Sequence, residues 1–278
     1  MDPVIKVKNL KKIYKMDHEK VIALNSINLK IGNGQICCIL GTSGSGKSTL
    51  LNMLAGLERP TKGSVIVANH NIGKISERRL AIFRQKYTGF IFQSYNLLPS
   101  LTALENVALP MVFKGYSRRK RNLRAKKMLQ VVNLGARLNH KPSQMSGGQQ
   151  QRVGIARAFV SRPKIIFADE PTGNLDTKTT LEVMSMMIDM AKKYNQTLII
   201  VTHDIEIADY ADRIITLKDG DIISDITKAK NTLEKNQVEN LVTPQSTLIP
   251  HIESNEKNIE GNEKDETDIF DNIDFFNK

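Results

Sequence analysis

"ICCILGTSGSGKSTLLNMLAGL", Ile36 to Leu57, decides the fold. Its first five residues are apolar throughout, as in a strand buried on both faces of a parallel sheet. Its last part places Leu50, Leu51, Leu54 and Leu57 on what reads as the apolar side of a helix. Between them "GTSGSGKS", Gly41 to Ser48, matches G-x-x-x-x-G-K-[ST], and strand, glycine loop, helix is the setting a phosphate loop requires. Gly41, Thr42, Ser43, Gly44, Ser45 and Gly46 are candidates to line a phosphate, with Gly44 and Gly46 letting the backbone wrap it. Lys47 would neutralise β- and γ-oxygens, the Ser48 hydroxyl would bind Mg²⁺, and Thr49 follows as a further candidate contact.

A second cradle stands in "MSGGQQQR", Met145 to Arg152. A serine and two glycines just before a helix start present free backbone N–H groups at the helix's positive end. Ser146, Gly147, Gly148 and Gln149 are therefore candidate contacts to a second anion. "KIIFADE" ends another buried strand, with Asp169 and Glu170 where ligands of open α/β sheets bind. Two adjacent carboxylates there can divide the work, one holding Mg²⁺ through its water shell and the other accepting a proton from an attacking water. "TLIIVTH" brings His203 to the same rim, within reach of a γ-phosphate. Gln93, after "GFIF", could contact Mg²⁺ and the attacking water.

Outside these stretches, alternation from Val4 to Ile31 predicts antiparallel, half-buried strands. Residues from about 95 to 162 read as mainly helical, including a basic helix capped by Ser117. A helix over 178–194 is expected to turn Leu181, Met184, Ile188 and Ala191 inward, and "RIITLKDGDII" reads as a hairpin about Asp219-Gly220. Strands alternating with helices predict an α/β fold with a mostly parallel core sheet. The composition shifts after Ile223, which predicts a body over 1–223 and a disordered or loosely helical tail over 224–278.

Charge follows the same division. Residues 1–220 hold 34 of the 40 Lys and Arg and only 16 of the 29 Asp and Glu, so the body is basic and the tail acidic. A basic body suits nucleotide phosphate, nucleic acid or an anionic surface. No aromatics interleave with the run Arg118–Arg121, Arg124, Lys126 and Lys127, so nucleic acid is not the expected partner; the run is expected to face anionic head groups or to be simply solvated. Cys37 and Cys38 are strand neighbours that point to opposite faces, hence small core residues rather than a disulfide. No apolar run approaches the ~18 residues of a spanning helix, and the N-terminus has no signal-peptide core, so a membrane role is expected to come through a partner.

These residues together resemble the nucleotide-binding subunit of ATP-binding-cassette (ABC) transporters, over roughly 4–223. "GTSGSGKS" is similar to the family's phosphate loop, "MSGGQ" to its signature, with Met145 in place of the usual Leu, and "IIFADE" to its magnesium strand. Gln93 resembles the glutamine of the loop that touches the membrane partner, His203 the switch histidine, and "GNLD" up to Asp176 the loop that crosses between protomers. Tyr14 in "KKIYK" looks like the aromatic that stacks on adenine. The resemblance implies a fold with an N-terminal antiparallel β subdomain and a helical subdomain carrying the signature. It also implies a Mg²⁺-dependent ATPase that pairs head to tail with a second copy and drives a separate integral membrane permease, from the cytoplasmic face of the membrane. "MSGGQ" would then close over ATP held by the other copy, which accounts for the second cradle. "PTGNLD" and "NLLP" resemble the branch serving macrolide export, lipoprotein release, antimicrobial-peptide resistance and a cell-division complex.

Other ATPases share the signature. DNA-repair and chromosome-structure ATPases split the two halves with a long coiled coil, and no heptad run separates Lys47 from Ser146. Ribosome-binding relatives carry two cassettes per chain, and this chain has one phosphate loop. A regulatory subunit that binds ATP without turnover is disfavoured by the presence of both Glu170 and His203.

Overall fold

A computed structural model describes residues 2–16 and 19–228. Two sheets organise them. Strands β1 (Ile5–Met16), β2 (Glu19–Ile31), β4 (Lys62–Val67) and β5 (His70–Asn71) form a four-stranded antiparallel sheet in the order β2-β1-β4-β5. The second sheet has six strands in the order β10-β9-β3-β8-β7-β6, formed by β3 (Ile36–Leu40), β6 (Thr88–Phe92), β7 (Ile165–Asp169), β8 (Thr197–Thr202), β9 (Arg213–Lys218) and β10 (Asp221–Thr227). All its neighbours run parallel except β10, which returns antiparallel on β9. The expected α/β cassette with an antiparallel β part and a helical part is what the chain forms.

The continuous apolar strands are explained by burial on both faces. Cys38, Ile91, Ile166, Leu198 and Ile200 belong to the core shared with helices α3 (Ala103–Phe113), α4 (Arg118–Val131), α5 (Gly147–Phe159) and α6 (Thr177–Lys193). The alternating residues Cys37, Ile39, Phe167, Ile199 and Val201 are equally buried on the other face. Helix α1 (Lys47–Ala55) contacts β7 and β8 as well as β2 and β4 of the antiparallel sheet. Burial pushes both cysteine thiols up to about 12, so neither is a ready thiolate.

Several expectations need correction. Leu181 is 48% exposed on α6, whereas Met184, Ile188 and Ala191 are buried as expected. Leu57 lies beyond α1, because Gly56 takes a left-handed cap (φ 67) and ends the helix at Ala55. The second strand of the terminal hairpin does not stop at residue 223 but continues to Thr227. Arg213 clamps Asp225 with two bonds of 2.7 and 2.6 Å, and the Lys228 amine reaches Asp209 at 3.1 Å. Helix α2 (Glu77–Tyr87) was not legible in the sequence, though Ser76 caps it and Leu80 and Phe83 anchor it. The acidic segment beyond residue 228, with Phe270, Phe275 and Phe276, lies outside the described residues.

Candidate functional site

The glycine loop joins β3 to α1, and the geometry explains each glycine differently. Gly44 has φ 77, and a Cβ there would meet nothing within 4 Å. Its conformation favours glycine and the space above it is open, as a bound phosphate needs. Gly41 and Gly46 are glycine for packing, since a Cβ would fall 2.3 Å from the Leu217 carbonyl oxygen and 2.5 Å from that of Ala23. Lys47 is 93% buried and its amine donates to the Thr42 carbonyl at 2.7 Å. The ammonium is thus held over the loop whose backbone it would share with a phosphate. Ser45 is buried and its hydroxyl has no partner.

The Ser48 hydroxyl donates to Asp169 Oδ1 at 3.4 Å, which brings the two expected Mg²⁺ contacts together. Burial pushes the Asp169 carboxyl upward and the neighbouring Glu170 adds to it, while the Ser48 hydrogen bond and the Lys47 charge oppose. A divalent cation seated between them would remove that penalty, so the donor set fits one. Glu170 stands one residue past β7 with φ 44, a left-handed backbone that is unusual for a glutamate. Its N–H donates to the Val201 carbonyl at 2.9 Å. This bend turns the carboxylate toward β8, where it accepts from the Thr202 hydroxyl at 3.2 Å and meets His203 Nδ1 at 2.9 Å. An ionised carboxylate can only accept, so Nδ1 carries the proton. Thr202 was not foreseen; only its position beside His203 could have signalled it.

Gln93 follows β6, and Phe92 pairs with Asp169 across the β6–β7 ladder, so the glutamine begins the loop beside the end of β7. Its carbonyl accepts from Asn174 at 3.0 Å, and a Cβ on Gly173 would lie 2.6 Å from Gln93 Nε2, so the Gln93 amide would have to move aside for it. The Gln93 loop and the "GNLD" loop are therefore packed as one rim.

The signature is built on α5. Ser146 caps it, its hydroxyl accepting from the Gln149 N–H at 3.3 Å, while Gln149 Oε1 accepts from the Ser146 N–H at 3.2 Å. The two glycines also answer to packing. A Cβ on Gly147 would lie 2.8 Å from the Tyr95 hydroxyl and one on Gly148 would lie 2.6 Å from Thr179 Cγ2. Helix α5 then reaches into both rim loops. Arg157 donates to the carbonyls of Asn96 at 2.6 Å and Tyr95 at 2.8 Å, and the buried Gln151 amide donates to the Pro171 carbonyl. Neither residue was singled out from the sequence. The contacts of α5 run to α3, α4, α6 and β6, and those of α1 to β2, β4, β7 and β8. The phosphate loop and the signature are thus carried by different layers of the chain.

Tyr14 lies on β1 beside α1. Its hydroxyl donates to Glu58 Oε2 at 2.7 Å, and the Lys12 amine sits 4.9 Å from the ring centroid. Burial tends to raise the Glu58 carboxyl, but hydrogen bonds from Tyr14, Lys12 and Asn52 outweigh it and hold the group low. The ring is therefore pinned at its far end. If it stacks on adenine, Tyr14→Ala weakens ATP binding by about 1–3 kcal/mol and Tyr14→Phe largely preserves it. Equal ATP affinity of Tyr14→Ala and wild type by titration calorimetry would leave Tyr14 as a strand residue only.

A glycine loop of the phosphate-binding pattern on a parallel sheet, a neighbouring strand ending in Asp169 and Glu170, and a capped helix opening on "MSGGQ" are the parts of a nucleotide-hydrolysing cassette. The profile described as "ABC transporter" matches residues 24–173. An ABC transporter ATP-binding protein of Methanocaldococcus jannaschii is 53% identical over 225 residues, covering 81% of this chain and all of that one. The lipoprotein-releasing system ATP-binding protein LolD 2 of Caulobacter vibrioides is 43% identical, covering 79% of this chain and 96% of its own. The macrolide export ATP-binding/permease protein MacB of Pasteurella multocida is 45% identical over 90% of this chain but only 38% of its own length. The solved dimer of the cassette MJ0796 in a post-hydrolysis state, bound to ADP and Pi, superposes with a TM-score of 0.75 at 44% identity, covering 80% of this chain and 98% of that one. The chain belongs to the ABC transporter family, as an ATP-binding ATPase subunit whose relatives include the macrolide-export and lipoprotein-release branch.

Proposed function

We propose that this chain pairs head to tail with a second copy of itself, hydrolyses ATP with Mg²⁺ at two shared sites, and drives a separate membrane permease from the cytoplasmic face. The placement of the phosphate loop and the signature on different layers carries the reading. Each is half of a phosphate site, and a facing copy supplies the other half. Gly41–Thr49 would hold the phosphates of one ATP, and Ser146, Gly147, Gly148 and Gln149 of the partner copy would close over its γ-phosphate. A bound Mg²⁺ would neutralise charge on the β- and γ-oxygens, held by Ser48 and, through its water shell, by Asp169, with Gln93 at the rim. Glu170 accepts the proton of the attacking water. With Nδ1 facing Glu170, Nε2 is the ring nitrogen left to meet a phosphate oxygen, and the 68% exposed side chain has room to turn toward it.

An apolar groove supports the permease. A cavity of about 330 Å³ lies between α2, β6, α3 and α5, with Leu57, Phe90, Phe92, Leu109, Pro110 and Phe113 in its wall. Phe113 is 62% exposed and Leu57 46%, large apolar surfaces that a lone chain leaves wet. Among the described residues no helix is long and apolar enough to cross a membrane, and this exposed apolar groove is the surface we assign to a spanning partner. Phe113→Asp is expected to lower co-purification of the permease subunit about tenfold or more, because it buries an unpaired charge in the contact. ATP hydrolysis by the isolated chain stays as in wild type. Undiminished co-purification would place the permease elsewhere.

A further inference from the structure

We infer that helix α4 is a docking face for an anionic bilayer surface, held against lipid headgroups beside the groove that takes the permease. Charge is segregated along this chain to an unusual degree. From Arg78 to Ala168 there are eighteen Lys and Arg and a single acid, Glu105. That acid is occupied in the capping box of α3, accepting from the Thr102 N–H at 2.9 Å and hydroxyl at 2.8 Å. Seven of the cations fall on α4, which has no acidic residue.

The helix divides these cations by face. Ala125, Met128 and Leu129 turn into the core. At 100° per residue Arg119, Leu123, Lys126 and Lys127 fall on the opposite side, and all four are exposed. Arg121 and Arg124 are tied back instead, donating to the Tyr116 carbonyl at 3.2 Å and the Tyr116 hydroxyl at 3.3 Å. Leu123, 53% exposed, and Val131, 42% exposed, stand among the outward cations. A cationic helix face with isolated apolar side chains suits the headgroup boundary of a membrane, where cations meet lipid phosphates and apolar groups reach the acyl edge. No aromatic side chain accompanies them on α4 to stack a base, which favours lipid over nucleic acid.

Position adds to charge. Phe113, the last residue of α3, lines the groove, and only Lys114–Ser117 separate it from α4. A permease seated in the groove would bring this edge of the helical layer toward the bilayer. That orientation rests on the permease reading, whereas the lipid affinity of α4 does not.

The test uses the purified full chain and sedimentation with vesicles of phosphatidylglycerol in phosphatidylcholine, beside phosphatidylcholine alone. Wild type is expected to bind the anionic vesicles at low ionic strength and to be released at about 1 M salt, where the Debye length falls to ~3 Å. Each cation near an anionic surface contributes about a fivefold gain in affinity. Arg119→Glu/Lys126→Glu/Lys127→Glu should therefore weaken binding by about a hundredfold or more. Lys8→Glu/Lys30→Glu/Lys62→Glu, an equal charge change on exposed positions of the antiparallel sheet, should leave most of the affinity. Both variants should melt and hydrolyse ATP as wild type does, which shows that they fold. The inference is overturned by failure of wild type to bind anionic vesicles, by equal binding to phosphatidylcholine, or by an equal loss in the second variant. It is also overturned if duplex RNA at matched phosphate displaces the vesicles completely. Loss of permease capture with vesicle binding intact would strike the permease reading alone.

Discussion

Glu170→Gln is expected to bind ATP as wild type does and to turn it over about 10²–10⁴ times more slowly, the span a general base contributes. The change removes the carboxylate that we propose takes the proton from water while leaving Asp169 and Ser48, 3.4 Å apart, untouched. The Gln amide keeps the shape of the carboxylate and can still meet the Thr202 hydroxyl and His203, so the left-handed bend at position 170 should survive. With closure intact and hydrolysis stopped, an ATP-bound dimer should accumulate and elute early in gel filtration. Turnover at the wild-type rate would show that Glu170 only positions His203.

Much of this was legible in the sequence because few physical rules act on it. "ICCIL" is uniformly apolar and can only be buried on both faces, and the phosphate loop that follows fixes strand, turn and helix in order. Asp219 and Gly220 both have positive φ, at 51° and 83°, as a two-residue hairpin turn demands. What was missed depends on contacts between distant segments. Leu57 and Leu181 look like core leucines by spacing, and only the early cap at Gly56 and the outward turn of α6 show otherwise. The end of the body was set too early because Ser224 and Asp225 are polar; their strand is an edge strand, and Asp225 is held by Arg213 from its neighbour. The glycines of "MSGGQ" were read as open access to phosphate, yet Gly148 is also required by Thr179, thirty-one residues further on. The backbone strain at Glu170 and the reach of Arg157 and Gln151 into both rim loops have no local signature at all.

The central claim is that each site is completed by the other copy, and it predicts an outcome that depends on which chain carries which lesion. Lys47→Ala disables a phosphate loop. Ser146→Arg disables a signature and also removes the helix cap, a loss of about 1 kcal/mol that a thermal melt of each variant must show to be tolerated. A Lys47→Ala chain paired with a Ser146→Arg chain places both lesions in one shared site and leaves the other whole. A doubly substituted chain paired with wild type places one lesion in each site and leaves none whole. The measurement is nucleotide trapped at the interface of each purified mixed dimer. The first mixture should trap nucleotide at one complete site and the second at none. A second mixture that traps more than the first would mean that each chain closes "MSGGQ" over its own "GTSGSGKS", and would contradict the head-to-tail account.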